Sequence, residues 1–359
     1  MSELQRGPDR SPPPGVHRGG KTLSVMPTYR CNAACRDCGT FSNPDQRIHL
    51  AEETIRAAID EAVTLGFANV VFTGGEPTLR WPSLLRCLRY AAGRLPTRIV
   101  TNAVWAASVD KAEARLRALR DAGLDEINFS TGDEHVRFVP VERVVNAMIA
   151  CNRIGMIFHT MVERRHGAGV TKQALLRDPR LAAAFERPAV PLRIEESPWM
   201  PVDPAAVAAY PPGDAITEAN VQACRGCDSV LQTYVLQADG VIGACCGLGM
   251  RTTPELHAGQ AEGEGFLRRA VAEAEADLVK LALRYIGPEK LLRLAAERDP
   301  GIRWEGLYAH RCQSCMRLYK DPRVVAAAIE AVEAEQANLV AAACFDEVAL
   351  PAYMAATPS

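Results

Sequence analysis

The stretch CNAACRDCG, residues 31–39, sets Cys31, Cys35 and Cys38 in one short loop directly after the β-rich run TLSVM at 22–26. The unit then repeats. NVVFT at 69–73, RIVT at 98–101, EINFS at 126–130, MIFHTMV at 156–162 and VPLRIEE at 190–196 read as five further strands. Between them apolar residues recur at helical spacing: Ile55, Ile59 and Val63; Leu84, Leu85 and Leu88; Leu116 and Leu119; Val144, Val145, Met148 and Ile149. Alternation of this kind builds right-handed crossovers and a parallel sheet. Six units are too few for a closed eight-stranded barrel and too many for a small open sheet, so an α/β partial barrel is expected over 21–200. In such folds the residues just past each strand carry the chemistry, and the three thiols stand there.

The chain has 359 residues, enough for a sizeable core without disulfide staples. An apolar fraction of 48% and a charged fraction of 23% are those of a globular protein, and a net charge of -2 offers no electrostatic reason for a nucleic-acid partner. No apolar run reaches bilayer length, and MSELQRGPDRSPPPGVHRGG at 1–20 lacks the apolar core of a signal peptide. A cytoplasmic protein with no membrane partner is expected, with 1–20 as a flexible lead-in. Twelve cysteines are many for a reducing compartment, where disulfides are rare; metal ligation is the alternative.

Soft thiolates select zinc, copper(I) or iron–sulfur clusters. No fourth cysteine lies near Cys31, Cys35 and Cys38 to close a structural zinc site, although His49 is available for that role. The other reading is a four-iron cluster on three cysteines, with one iron left open. FTGGEPTL at 72–79 adds Gly74, Gly75, Glu76 and Pro77 past the second strand; glycines let backbone approach a ligand, and a carboxylate suits an ammonium. In this order on consecutive strands, the two motifs resemble the radical S-adenosylmethionine (radical SAM) superfamily. The resemblance implies a (β/α)6 TIM-like partial barrel and a [4Fe-4S] cluster on Cys31, Cys35 and Cys38. It places S-adenosylmethionine (SAM) on the open iron, with Gly74–Pro77 at its amino group. It further implies ribose contacts from Ser130 and Asp133 in INFSTGDEH, and a methionine-carboxylate partner in Arg164 of TMVERR, beside Glu163. A Ser-Gly-Asp turn and an exposed basic turn are the plainer readings. Where the superfamily usually carries an aromatic before the third cysteine this chain has Asp37, leaving Phe41 or Tyr29 to pack against adenine.

After Ser197 the composition shifts to PWMPVDPAAVAAYPPGD, and 201–214 reads as a Pro-rich linker. Residues 215–359 form a second region. It holds Cys224 and Cys227, a hairpin TYVLQADGVIGAC at 233–245 with turn residues Asp239-Gly240, and the pair Cys245 and Cys246. A helical insert follows through Leu278, Leu281, Tyr285, Leu291, Leu292 and Ala295, then Cys312 and Cys315, then a final helix through Val325, Ile329 and Val332. Cys227-x12-Gly240-x4-Cys245 with a later Cys312-x2-Cys315 resembles the SPASM extension in its shorter, twitch form. That implies one auxiliary [4Fe-4S] cluster on Cys227, Cys245, Cys312 and Cys315, with Cys224 the alternative to Cys227. Full thiolate ligation suits electron transfer; a zinc site pinning the region together is the alternative. Cys87, Cys151 and Cys344 read as apolar core filler. Cys246 adjoins a ligand and could present a hydrogen atom to a substrate radical.

The resemblance implies an oxidoreductase or maturase in which reductive cleavage of SAM gives a 5′-deoxyadenosyl radical that abstracts a hydrogen atom. A nearby auxiliary cluster favours net oxidation, so the reading taken is oxidative modification or cross-linking of a peptide or protein, fed by a flavodoxin- or ferredoxin-type reductant. Glu195 and Glu196 at the last strand end would accept a proton, with His135 a further choice; a solvated acidic strand end is the plainer reading. The rival enzyme is a dehydrogenase or epimerase of a small molecule such as an aminocyclitol or sugar. The molybdenum-cofactor cyclase, whose family ends in Gly-Gly, is set aside because this chain ends MAATPS. No leader-recognition domain is expected in 1–20, although a leader can add as a strand to a sheet edge. A non-catalytic iron–sulfur electron carrier or zinc protein would keep the cysteines but has no use for the Gly74–Glu76 motif.

Overall fold

The computed structural model describes residues 20–203, 205–206, 209–211 and 213–346. The lead-in at 1–19, parts of the linker and the end of the chain at 347–359 lie outside the described residues.

Strands β1 (Thr22–Val25), β2 (Asn69–Phe72), β3 (Thr97–Thr101), β4 (Glu126–Thr131), β5 (Ile157–Arg164) and β6 (Ile194–Pro198) pair in parallel, each with the next. Helices α1 (Glu52–Thr64), α2 (Trp81–Ala91) and α3 (Val109–Asp121) fill the first crossovers; α4 (Asp133–Val136) and α5 (Val141–Ile154) share the next. This is the partial barrel. Its last strand starts later than VPLRIEE suggests, because Pro191 has no N–H for the ladder and pairing opens at Thr160 with Ile194.

Alternation along the strands sorts two faces. Leu23, Val70, Phe72, Ile99, Ile127 and Phe129 are buried with Ile55 and Ile59 of α1, Leu84 and Leu88 of α2, and Leu116 and Leu119 of α3. Each such side chain adds about 1.5–3 kcal/mol of burial. The opposite face turns to the barrel lumen. Register aligns it in rows, Val100 beside Asn128 beside His159, and Ser130 beside Met161 beside Glu195.

The second region does not stand apart. Strand β7 (Thr233–Leu236) lies parallel on the free side of β1, from Thr22 with Thr233 to Val25 with Leu236. β8 (Val241–Gly243) and β9 (His257–Gln260) continue antiparallel, so barrel and extension share one nine-stranded sheet. The hairpin turns at Asp239-Gly240, with Gly240 at φ 86°, where glycine is favoured. The linker is tied at both ends: Asp37 accepts from Val202 N at 3.0 Å, and Asp214 pairs with Arg164 at 2.7 Å.

Helices Phe266–Glu275, Leu278–Tyr285, Pro288–Arg298, Arg311–Lys320 and Pro322–Ala334 complete the extension, and Gln336–Cys344 adds one beyond the expected final helix. Cys87 and Cys151 are buried, whereas Cys344 is exposed. Its helix buries only Leu339, so the thiol misses the core that was expected to hold it. Among the described residues no helix is long and apolar enough to cross a membrane.

Candidate active site

The loop after β1 brings Cys31, Cys35 and Cys38 to one cavity of about 260 Å³, shared with Gly74, Gly75, Glu76, Asn102, Ser130, His135 and Trp199. The position follows from the glycines. Gly75 N donates to the Thr28 carbonyl and Glu76 N to the Arg30 carbonyl, each at 2.9 Å, laying the β2 loop on the chain that enters Cys31. A Cβ on Gly74, whose φ is 112°, would stand 2.7 Å from the Thr28 oxygen, and one on Gly75 would run into the Arg30 carbonyl. Glycine is required for the loops to touch.

Glu76 is buried, and its carboxylate is already engaged. Oε1 accepts from Thr78 N at 3.1 Å and Thr101 Oγ1 at 2.8 Å, and Oε2 from Asn102 N at 2.9 Å. Burial still pushes its carboxyl upward. The Glu76 side chain ties the end of β2 to the end of β3, and it lines the cavity with the backbone of Gly74 and Gly75. Thr101 and Asn102, which sequence reasoning passed over, are the last residue of β3 and the one after it; Asn102 Nδ2 donates to Asn32 Oδ1 at 3.0 Å and to Cys31 Sγ at 3.7 Å.

Burial pushes the Cys31 thiol up to about 11 and Cys35 to about 12, so both stay protonated until a ligated metal displaces the proton. Among the described residues no three His, Cys, Asp or Glu side chains converge as a single ion requires. The thiols ring a chamber, which fits a polynuclear iron–sulfur group. His49 is exposed, with Nδ1 3.0 Å from the Arg47 carbonyl, and is not among the lining residues.

Several expected contacts fall elsewhere. Ser130 lines the cavity, but Asp133 accepts from Gly169 N at 3.1 Å and Val170 N at 2.8 Å and pairs with Arg165 at 3.2 Å, pinning the loop after β5. Those donors hold its carboxyl low against partial burial. Arg164 is spent on Asp214. Tyr29 is wholly buried and Phe41 is not a lining residue, so neither supplies an aromatic wall. Trp199 does, standing edge-on to His135 with ring centroids 6.4 Å apart. Its signal was an aromatic directly after the last strand. His135 Nδ1 is hydrogen-bonded to Glu163 Oε1, and Glu163 Oε2 accepts from Glu134 N at 2.9 Å.

Of the acidic pair, Glu195 sits in the lumen row with Oε2 3.6 Å from His159 Nε2. Glu196 turns to the other face and accepts from Lys172 N at 2.9 Å, so the pleat removes it from the lumen.

Cys227, Cys245, Cys312 and Cys315 line a second cavity of about 190 Å³ with His310 and Arg311. Cys245 follows β8, and Cys312 and Cys315 occupy the start of the helix Arg311–Lys320, whose cap His310 accepts from Cys312 N at 3.1 Å. Burial pushes Cys312 up to about 12 and Cys245 and Cys315 well above the usual thiol range. Cys224 stays outside this ring, 3.9 Å from the Asn220 carbonyl. Cys246 is exposed, its thiol 3.5 Å from Ser229 Oγ.

Residues 25–162 match the model of the radical SAM superfamily. Over 116 residues the chain is 36% identical to GTP 3′,8-cyclase of Mycobacterium sp. (strain KMS), covering 30% of this chain and 31% of that protein. Over 109 residues it is 38% identical to PqqA peptide cyclase of Ruegeria pomeroyi, covering 29% and 26%. It thus spans well under half the length of the curated relatives it matches. Among solved structures it is similar to native anSMEcpe with bound AdoMet and Cp18Cys peptide, with a TM-score of 0.50, 12% identity, and coverage of 90% of this chain and 99% of that one. That likeness is one of fold. With the thiol loop, the glycine motif and the parallel barrel on which they meet, the match identifies residues 25–162 as a radical SAM domain.

Proposed function

We propose that the protein is a radical SAM oxidoreductase that modifies or cross-links a peptide or protein in the cytoplasm, drawing electrons from a flavodoxin- or ferredoxin-type donor. The observation that carries this reading is the single cavity shared by Cys31, Cys35, Cys38, the Gly74-Gly75 backbone, Ser130 and Trp199. The three thiols would hold a [4Fe-4S] cluster, the glycine backbone the amino group of SAM, Ser130 its ribose, and Trp199 its adenine. Bound there, cluster and SAM supply hydrogen-atom abstraction from an unactivated carbon.

The chain's own residues position substrate and move protons. Glu163 fixes the His135 ring at the cavity wall, which suits the imidazole to proton transfer. Met161 and Glu195 lie one and two strands from Ser130, so Glu195 stands roughly 10 Å along the lumen wall, within the span of a bound substrate. Met161 and Ile157 are exposed on this wall and offer apolar surface to a side chain. Cys227, Cys245, Cys312 and Cys315 would hold one auxiliary [4Fe-4S] cluster able to accept an electron, and Cys246 would remain free to donate a hydrogen atom.

The likeness to PqqA peptide cyclase supports a peptide substrate, and the likeness to GTP 3′,8-cyclase supports a small molecule as the second reading. Anaerobic reconstitution followed by dithionite and SAM tests the activity, with 5′-deoxyadenosine as the readout. Its absence from protein holding about eight irons would favour an electron carrier. Hydrogen-labelled candidate peptides, assayed against labelled aminocyclitols and nucleotides, separate the two substrate readings by which label reaches 5′-deoxyadenosine.

A further inference from the structure

Arg251 belongs to the loop that follows Cys245, yet its side chain reaches the barrel. Its Cζ lies 3.5 Å from the centre of the Tyr29 ring, and Nη1 donates to the Thr40 carbonyl at 2.7 Å and the Phe41 carbonyl at 3.4 Å. Tyr29 is itself fixed, its hydroxyl donating to Gln237 Oε1 at 3.0 Å just past β7. Thr40 completes the link: its Oγ1 is 3.4 Å from Cys38 Sγ and donates to the Gly74 carbonyl at 3.2 Å. One guanidinium therefore holds the residue that touches both the third thiol and the glycine motif.

The same loop grips the auxiliary thiols. A Cβ on Gly247 would stand 3.2 Å from Cys312 Sγ and 3.6 Å from Cys245 Sγ, while Leu248 lies so close to Gly39 that a Cβ there would come 2.5 Å from its Cδ1. Residues 245–251 thus run from one thiol set to the other. The segment they hold is strained. Asp37 and Phe41, on either side of Cys38, sit in the left-handed region at φ 59° and 52°, a conformation that non-glycine residues keep only when their surroundings enforce it.

We propose that Arg251 is a positioning residue for the first thiol centre, and that the Gly247–Arg251 loop couples occupancy of the four-thiol cavity to the conformation of Cys38–Phe41. The proposal rests on reading the two cavities as cluster sites. Such coupling is reciprocal: filling either site favours the loop conformation that the other needs.

The test uses the full chain with Arg251→Met, Arg251→Lys and Cys312→Ser. Hydrogen exchange of the backbone at 38–42 is read on metal-free protein, and the SAM dissociation constant and the SAM-induced change in the electron paramagnetic resonance signal are read on reconstituted protein. Arg251→Met should speed exchange at 38–42 and weaken SAM binding about tenfold at unchanged iron content. Arg251→Lys should recover part of both, since an ammonium can donate to the Thr40 carbonyl without the guanidinium's planar stacking. Cys312→Ser should weaken SAM binding in the same direction, and combining it with Arg251→Met should add less than the two effects separately.

Unchanged exchange at 38–42 in Arg251→Met, or SAM affinities that add independently, would overturn the coupling. If Arg251→Met fails to fold, Arg251→Lys and Cys312→Ser carry the same comparison. A wild-type chain that takes up no iron would sink the cluster reading while the metal-free exchange still judged the clamp.

Discussion

The two thiol cavities are built to different rules. In the first, three half-exposed cysteines share a chamber with glycine backbone, Ser130, His135 and Trp199. In the second, four cysteines share a smaller chamber whose walls include Leu256, Leu283 and Met316, and Cys227 and Cys245 are buried. An incomplete thiol set beside polar groups leaves a coordination position and a place for a ligand. A complete set of four leaves no open coordination position, which favours electron storage over substrate binding. On the proposed reading the strand ends would carry the chemistry and the extension the electron transfer, with Gly247–Arg251 the physical connection between them.

The largest effect expected is that of Cys35→Ala. It should lower 5′-deoxyadenosine formation by more than about a thousandfold while about four irons remain in the second cavity, measured by iron content and product assay. Loss of all iron would break the distinction between the regions. Cys315→Ala should do the converse: about four irons go, substrate oxidation is lost, and SAM cleavage persists at a lower rate. Trp199→Ala sharpens the comparison further. It should weaken SAM binding about tenfold and leave the auxiliary resonance signal unchanged.

Glu76→Gln probes the architecture of the first cavity alone. An amide nitrogen forced against the donors Thr101 Oγ1 and Asn102 N should cost about 1–3 kcal/mol in a denaturant melt of the metal-free chain. The smallest change is expected from Cys246→Ser, which should keep the full iron content because this thiol lies outside the ring of four. A loss of iron there would show that the second cavity is completed by a different cysteine.

Much of the first site was legible because it is local. Cys31, Cys35 and Cys38 follow one strand and Gly74–Glu76 the next, so spacing alone brings both to the same edge of a parallel sheet. What each side chain does at that edge was not legible. Glu76 and Asp133 stand past strands and Arg164 ends one, yet each is claimed by a partner that only neighbouring elements supply: Thr101 and Asn102, the loop at Gly169 and Val170, and Asp214. Trp199, and not an aromatic near Cys38, lines the cavity because β6 ends beside it.

Residue pattern by itself determined the six parallel strands, the thiol loop, the glycine motif and the hairpin at Asp239-Gly240, all set by periodicity and turn chemistry within short windows. Tertiary structure alone decided that β7 docks on β1, that Cys227 rather than Cys224 joins Cys245, Cys312 and Cys315, and that Arg251 stacks on Tyr29. Sheet edges, burial and cavity walls are made by residues far apart in the chain, and their pairing is settled by which surfaces can exclude water together. No local window contains that information.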